Sequence, residues 1–292
     1  MLKKLAFIGG SGLYDLHFLK KFKYHKIKSY FGSPSGSILS AQINNNEIFF
    51  LSRHGKGHYL SPSQINYRAN IDCLKKLNIT DIISLSAVGS LKQKYKPGSF
   101  VIIDQFFDRT FKRKNTFFDE GIVAHVSMSN PTSDVLMKLS QKTLKKLKIK
   151  NFYGGTYLAM EGPQFSSIVE SNIYRKLDCD VIGMTNMPEA KLAKEAEIRY
   201  CSISMVTDYD CWHPDHDNVN INILLKTLNE NVEKSKLFIS EFSKLYYKGI
   251  DFLKDKTNNN LDYSIITNRK YWNKDSEKKL TNILKRYKKE NK

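Results

Sequence analysis

Two aspartates, Asp208 and Asp210, close the apolar run in "SISMVTDYDCW". A carboxyl pair at a strand end can raise the proton affinity of one member and hand that proton to a leaving group. The same pair could also hold a metal ion, form a salt bridge or cap a helix. A second set of groups suits an anion. In "SRHG", the Arg53 guanidinium fork matches a pair of phosphate oxygens, and the adjacent His54 imidazole can donate a further bond. "GGSG" at 9–12 offers converging backbone N–H groups and the Ser11 hydroxyl, while Ser86 and Thr185 add hydroxyls elsewhere. Taken singly, a plain tight turn at GGSG and an Arg53 bridging to a core carboxylate are open alternatives. Taken together, one cation among neutral donors suits inorganic phosphate better than a polyanion.

The elements that must position these groups alternate between strand and helix. Residues 3–8 read as a buried strand. "SILSAQINNNEIFFLSRHG" reads as a hairpin with its turn at 44–46, and "DIISLSAVGSL" and "SFVIIDQFFD" as two more strands. Ile65, Ala69, Cys73 and Leu77 share one helical face behind a capping Ser61 or Ser63, and a second helix over 131–148 packs Leu136, Leu139 and Leu147. A strand around "GTYLAMEGP" precedes a helix over 167–177 that opens with the capping-box pair Ser167 and Glu170. "DVIGM", a short helix from Pro188, a strand over 200–207 and a long helix from about 221 follow. This order predicts a single α/β domain with a central mixed sheet flanked by helices. The polar segments all follow apolar strands, where layered α/β folds place their chemistry.

Composition narrows the classes. The 292 residues can bury a sizeable core, and no apolar run is long enough to span a bilayer. The four cysteines are far apart, without metal-ligand spacing, and read as reduced thiols of a cytoplasmic protein. The formal charge of +18 comes from lysines spread over helix surfaces rather than clustered, so a solvated basic surface is favoured over a nucleic-acid track. His213 and His216 in "HPDHD" lack a third ligand at a telling spacing and read as a loop over the site, so no metal is expected.

"IGGSG", "SRHG", "NYRANI", "VIIDQFFDRT", "EGPQFSS", "MTNMPEAKLAKEAEI" and "TDYDCW" together resemble the S-methyl-5′-thioadenosine phosphorylases of the purine nucleoside phosphorylase superfamily. The resemblance runs in order from about residue 3 to 240. It implies a homotrimeric enzyme that uses inorganic phosphate as co-substrate and no metal or organic cofactor. Carried over by position, it implies phosphate contacts from Ser11, Arg53, His54, Ser86, the backbone at Ala87, and Thr185. It puts Met184 beneath the ribose, Phe165 and Ser166 near the base, and Asp208, Tyr209 and Asp210 at the purine. Ile221, Leu224 and Leu225 surround the 5′-methylthio group, although an i, i+3, i+4 apolar face read alone is as well explained by core packing. His125 corresponds to a residue supplied by the neighbouring subunit.

The implied reaction is reversible phosphorolysis, with Asp208 protonating the departing purine at N7 and Asp210 accepting from its 6-amino group. A purine nucleoside phosphorylase acting on inosine, guanosine or adenosine is the nearest alternative, and a nucleic-acid-binding protein the non-enzymatic one. The phosphorylase domain is expected over 1–245. A basic extension over 246–292 follows, with a linker at 258–260 and an amphipathic helix carrying Leu280, Ile283, Leu284 and Tyr287.

Overall fold

The computed structural model describes residues 3–10, 20–43, 45–214, 221–249 and 255–290, without the side chains of residues 20, 221–224 and 256–258. Eleven strands among them form one mixed sheet. The strands are β1 (Leu5–Gly9), β2 (Lys20–His25), β3 (Ile38–Ile43), β4 (Asn46–Ser52), β5 (Asp81–Ser90), β6 (Phe100–Ile103), β7 (Gln105–Asp108), β8 (Asn151–Tyr153), β9 (Thr156–Ala159), β10 (Val181–Gly183) and β11 (Arg199–Asp208). The helices are α1 (Tyr67–Lys76), α2 (Asp134–Lys146), α3 (Ile168–Lys176), α4 (Asn186–Glu195), α5 (Ile221–Lys248), α6 (Lys274–Lys279) and α7 (Lys285–Glu290).

β5 organises the sheet. On one edge it pairs in parallel with β11, from Asp81↔Arg199 to Gly89↔Asp208. On the other it pairs in parallel with β1 as far as Leu85↔Gly9, and β10 then arrives antiparallel against Gly89 and Ser90. Ser86, Ala87 and Val88 therefore lie in a fork, left unpaired on that edge between the departing β1 and the incoming β10. From β5 one branch runs through β10 and β9 to β7 and another through β11 and β6 to β8, while beyond β1 the sheet continues through β4 and β3 to β2. The expected single strand over "SFVIIDQFFD" is thus two, β6 and β7, separated at Asp104, and the short β2 and β8 are strands beyond those expected from the sequence.

The sheet buries apolar side chains on both faces. One core carries Ile8, Phe49, Ile71, Leu74, Ile82, Tyr157 and Tyr200, and the other carries Phe7, Phe50, Ile83, Phe100, Phe238 and Phe242 beneath α2 and α5. The caps follow hydrogen-bonding capacity. The Ser167/Glu170 capping box forms, whereas α1 is capped by Asn66, whose side chain accepts from Ala69 N, rather than by Ser61 or Ser63. In the predicted hairpin turn, Asn45 takes a left-handed φ of 63°, and residue 44 lies outside the described residues.

The C-terminal segment packs on the domain body. Residues 258–260, expected as a linker, lie in the 3-10 helix Lys256–Tyr263, where Asn260 Nδ2 donates to Lys194 O and Leu261 is fully buried. The expected single amphipathic helix is two short ones, α6 and α7. Leu280, Ile283 and Leu284, on the turn between them, enter the larger core beside Cys73 and Leu74. Arg286 locks this turn by donating to Glu197 and Asp262. Leu284→Ala is expected to cost about 2–5 kcal/mol of unfolding free energy in a denaturant titration, the usual price of truncating a buried Leu; an unchanged midpoint would show that the segment merely trails from the body.

Candidate active site

A cavity of 580 Å³ opens at the fork in β5. Gly10 enters it from β1, Arg53 and His54 from β4, Ser86 to Gly89 from β5, Met184 and Thr185 from β10, and Thr207, Asp208 and Asp210 from β11. Because β10 runs antiparallel to β5, its carboxyl end arrives beside Ser86–Val88, so strand ends distant in sequence meet at one place. Gly89 permits a close approach: a Cβ there would sit 3.0 Å from Asp208 Oδ1 and 3.1 Å from Ile182 Cγ2.

Arg53 is wholly buried and bound to an acid. Its Nε donates to Glu189 Oε2 (2.7 Å), and its Nη2 to Glu189 Oε1 (3.1 Å) and Ser84 Oγ (2.6 Å). Nη1 donates to Leu85 O (3.3 Å), leaving one of its hydrogens without a partner among the described residues. Burial opposes the guanidinium charge, but the Glu189 carboxylate outweighs it and raises the pKa. The carboxylate-bridging alternative is therefore realised, and Arg53 still lines the cavity, with its charge already balanced.

His54 is also nearly neutral ground. Burial, opposed only in part by its bond to Leu60 O and reinforced by Arg53, pushes its pKa down to about 4. Since a carbonyl only accepts, Nδ1 carries the hydrogen of the 2.9 Å bond to Leu60 O, and Nε2 of the neutral ring is an acceptor. The expectation that this imidazole donates to phosphate needs restating: the neutral ring can take a hydrogen from a protonated phosphate oxygen. His58 stacks on it, with centroids 4.0 Å apart, and also lines the cavity. The neutral donors remain. Thr185 stands at the N-cap of α4 without making a side-chain capping bond, and Ser86 Oγ only accepts, weakly, from Asn186 Nδ2 (3.4 Å).

The two aspartates do not share a strand face. β11 ends at Asp208, and Asp210 takes a left-handed φ of 52° at the start of a 3-10 turn. This bend lets Asp210 N donate to Asp208 Oδ1 (2.8 Å), while Thr207 Oγ1 reaches Asp208 Oδ2 at 2.7 Å. Asp210 is buried; burial, then the neighbouring Asp208 charge, raises its pKa against opposing help from Ser171, Ser166 and the Cys211 N–H. Its Oδ2 makes no well-formed hydrogen bond among the described residues.

Other expected residues fall in different places. Phe165 lines the cavity although 79% exposed, and Ser166 is buried just behind it. Tyr209 is not among the lining residues. Its ring stacks on His213 at 4.6 Å, its hydroxyl reaches Gln93 O, and His213, expected in a loop over the site, is buried with it. Leu225 is 47% exposed and Leu228 takes the cavity position on α5. The side chains of Ile221 and Leu224, together with Ser11 and His216, lie outside the described residues. The backbone N–H of His125 donates to Ser264 O, and its exposed side chain is not part of the cavity lining. No cluster of three or more His, Cys, Asp or Glu able to hold a metal occurs among the described residues.

Glu189, Arg113 and Glu161 are functional-site residues that the sequence pattern does not single out. Arg113 is buried and donates to Met184 O (2.5 Å), Met187 O (2.6 Å) and Glu161 O (2.7 Å), tying the ends of β9 and β10 together. Burial would raise the Glu161 pKa. Bonds from Ser63, Phe111 N and Lys112 N outweigh it and hold the carboxylate below its usual range. The signal that could have found them is a cation and an acid in segments already polar, "FKRKN" and "MEGP", although nothing in the spacing pairs them.

The depressed His54 pKa has a stability consequence. A histidine ordinarily near 6.5 that sits at about 4 in the fold contributes stability fully above pH 6.5 and loses it as pH falls through 4, up to about 3 kcal/mol. Denaturant unfolding at pH 7 and pH 4 should show a smaller loss in His54→Gln than in the unaltered protein, and equal losses would contradict a buried neutral imidazole.

Comparison with known proteins converges on one family. The model of the phosphorylase superfamily matches residues 4–244. The S-methyl-5′-thioadenosine phosphorylase of Rhodospirillum rubrum is 48% identical over 97% of this chain and 96% of its own length. That of Synechocystis is 46% identical over 81% of this chain and 74% of its own. Among solved structures, a methylthioadenosine phosphorylase from an antarctic soil metagenomic library superposes with a TM-score of 0.89 at 39% identity, covering 97% of this chain and 99% of the other. The Schistosoma mansoni methylthioadenosine phosphorylase in complex with adenine gives 0.85 at 30% identity, covering 90% and 99%. With the cavity built on the same strand ends that carry the sequence motifs, the chain belongs to the S-methyl-5′-thioadenosine phosphorylases of the phosphorylase superfamily.

Proposed function

We propose that this protein catalyses the reversible phosphorolysis of S-methyl-5′-thioadenosine to adenine and 5-methylthioribose 1-phosphate. The observation that carries the reading is the pairing, in one cavity, of a hydroxyl-rich end beside Arg53 with a carboxyl pair at the other. Ser86, Thr185, the Ala87 backbone and His54 receive phosphate, with Ser11 assigned to the same task by position and Arg53 fixing the floor. The anion attacks the anomeric carbon, the bond to N9 breaks, and its electron pair enters the purine. Asp208 gives its proton to N7 as that charge grows, so the base leaves neutral.

Asp210 Oδ2, buried without a well-formed partner, offers an acceptor to the exocyclic 6-amino group. A 6-oxo group would place an acceptor against an acceptor. Met184 and Phe165 frame the sugar and base, and Leu228 supplies an apolar wall to which Ile221 and Leu224, two turns and one turn earlier on α5, are assigned by position. A buried 5′-hydroxyl without a partner would cost about 1–3 kcal/mol there, whereas a methylthio group gains from burial.

The homotrimer belongs to the same proposal. Ile168, Val169, Ile173 and Leu177 leave an exposed apolar face on and just after α3, next to the exposed Phe165, a surface suited to a second copy. His125 would then reach a neighbouring subunit's 5′ pocket. Inorganic phosphate is the co-substrate, no organic cofactor or metal takes part, and the setting is purine and methionine salvage in the cytoplasm.

Adenine release from methylthioadenosine should require phosphate; undiminished turnover in phosphate-free buffer would identify a hydrolase and sink the reading. Asp210→Asn should lower kcat/KM for methylthioadenosine by about ten- to a hundredfold and narrow its advantage over inosine, because the amide can donate to a 6-oxygen. An unaltered preference between the two substrates would remove Asp210 from base selection.

A further inference from the structure

Thr207 lines the cavity one residue before Asp208, is largely buried, and has one hydroxyl hydrogen but two acceptors within reach. Its Oγ1 is 2.7 Å from Asp208 Oδ2 and 3.1 Å from Val88 O, the latter on the neighbouring strand β5. The hydroxyl can donate to only one of them at a time. Which one it serves depends on the charge of the carboxyl group, because a carboxylate oxygen is a far stronger acceptor than either a protonated carboxyl or an amide carbonyl.

We propose that Thr207 is a positioning residue whose hydroxyl hydrogen follows the proton of Asp208. While the Asp208 carboxyl holds its proton, Thr207 donates to Val88 O. As the glycosidic bond breaks, its electron pair passes into the purine, the N7 lone pair takes the Asp208 proton, and the carboxyl becomes a carboxylate. The Thr207 hydroxyl then rotates to Oδ2, adding a charge-assisted bond to the one that Asp210 N already gives Oδ1. The second bond exists only once charge has moved, so it favours the transition state over the bound substrate.

The geometry makes this rotation local. Thr207 and Val88 stand on the paired strands β11 and β5, close to the irregularity in their register between Val206 and Asp208. A hydroxyl at that point lies within reach of a main-chain carbonyl on the adjacent strand as well as of the next side chain along. The buried strand serines behind the cavity are each held on one acceptor: Ser84 donates to Glu189 and Ser202 to Asn186.

The inference rests on the phosphorolysis reading, and steady-state kinetics with methylthioadenosine and phosphate separate the two. Thr207→Val, which keeps the shape and removes the hydroxyl, should lower kcat by about ten- to a hundredfold with little change in KM for the nucleoside, since the lost bond is made only in the transition state. Thr207→Ser restores the hydroxyl and should recover most of the loss. A valine variant with unaltered kcat, a loss carried by KM alone, or a serine variant as slow as valine would each overturn the role of Thr207 while leaving the enzyme a phosphorylase. Absence of phosphate-dependent adenine release in the unaltered protein would overturn the phosphorolysis reading, and this role with it.

Discussion

The buried ion pair between Arg53 and Glu189 is the interaction on which the site depends. Placing two charges in the interior is costly, and the cost is offset only if the geometry is good and the remaining polar atoms are satisfied. Here they are. Glu189 Oε1 also accepts from Ser84 Oγ (2.6 Å) and Tyr200 OH (2.8 Å); Asn186 Nδ2 donates to Ser84 and Tyr200, and Asn186 Oδ1 accepts from Ser202 Oγ. One network thereby joins the ends of β4, β5, α4 and β11. Movement of any of these elements leaves a buried charge or hydroxyl unpaired, so the network holds the Arg53 end of the cavity in one arrangement.

Part of this arrangement is written in the sequence as a pattern. "SLSAV" and "SISMV" put serines at alternate positions of two strands, and the register aligns Ser84 with Ser202 and Ser86 with Ser204 on one face. Most of the strands, the capping box at Ser167 and the polar segments at strand ends are equally legible, because each depends on residues a few positions apart. The partners of Arg53 and Arg113 were not. Glu189 lies 136 residues beyond Arg53, and Glu161 lies 48 beyond Arg113. No local periodicity connects such residues, and only the fold brings them together. The aspartate pair failed differently. Alternation predicts a shared face for Asp208 and Asp210, but the left-handed turn at Asp210 ends the strand and sends its own N–H back to its neighbour.

The C-terminal segment shows a related limit. Its apolar residues were visible, and their destination was not. Leu280, Ile283 and Leu284 enter the core beside α1, while residues farther upstream pair with the stretch that carries His125: Ala124 bridges Ile265, and Ile266 N donates to Val123 O. A segment with few regular elements of its own thus fixes the backbone around His125 through main-chain bonds, which are indifferent to side-chain identity and leave little trace in sequence.

Charge accounting along the cavity connects these observations. At one end Arg53 is balanced by Glu189 and His54 is neutral, so that end offers an anion oriented dipoles and hydroxyls rather than a free cation. An anion held this way is bound without being strongly neutralised, and it keeps more of its nucleophilic charge than it would beside an unpaired arginine. At the other end the burden falls on the carboxyl pair, whose members stand in different surroundings: Asp208 receives two donors, and Asp210 is more deeply buried with one oxygen unserved. The first environment is suited to a group that becomes charged during the reaction, and the second to a group that waits for a donor from the ligand. That division follows from the bend after β11, which places two chemically identical side chains in different surroundings.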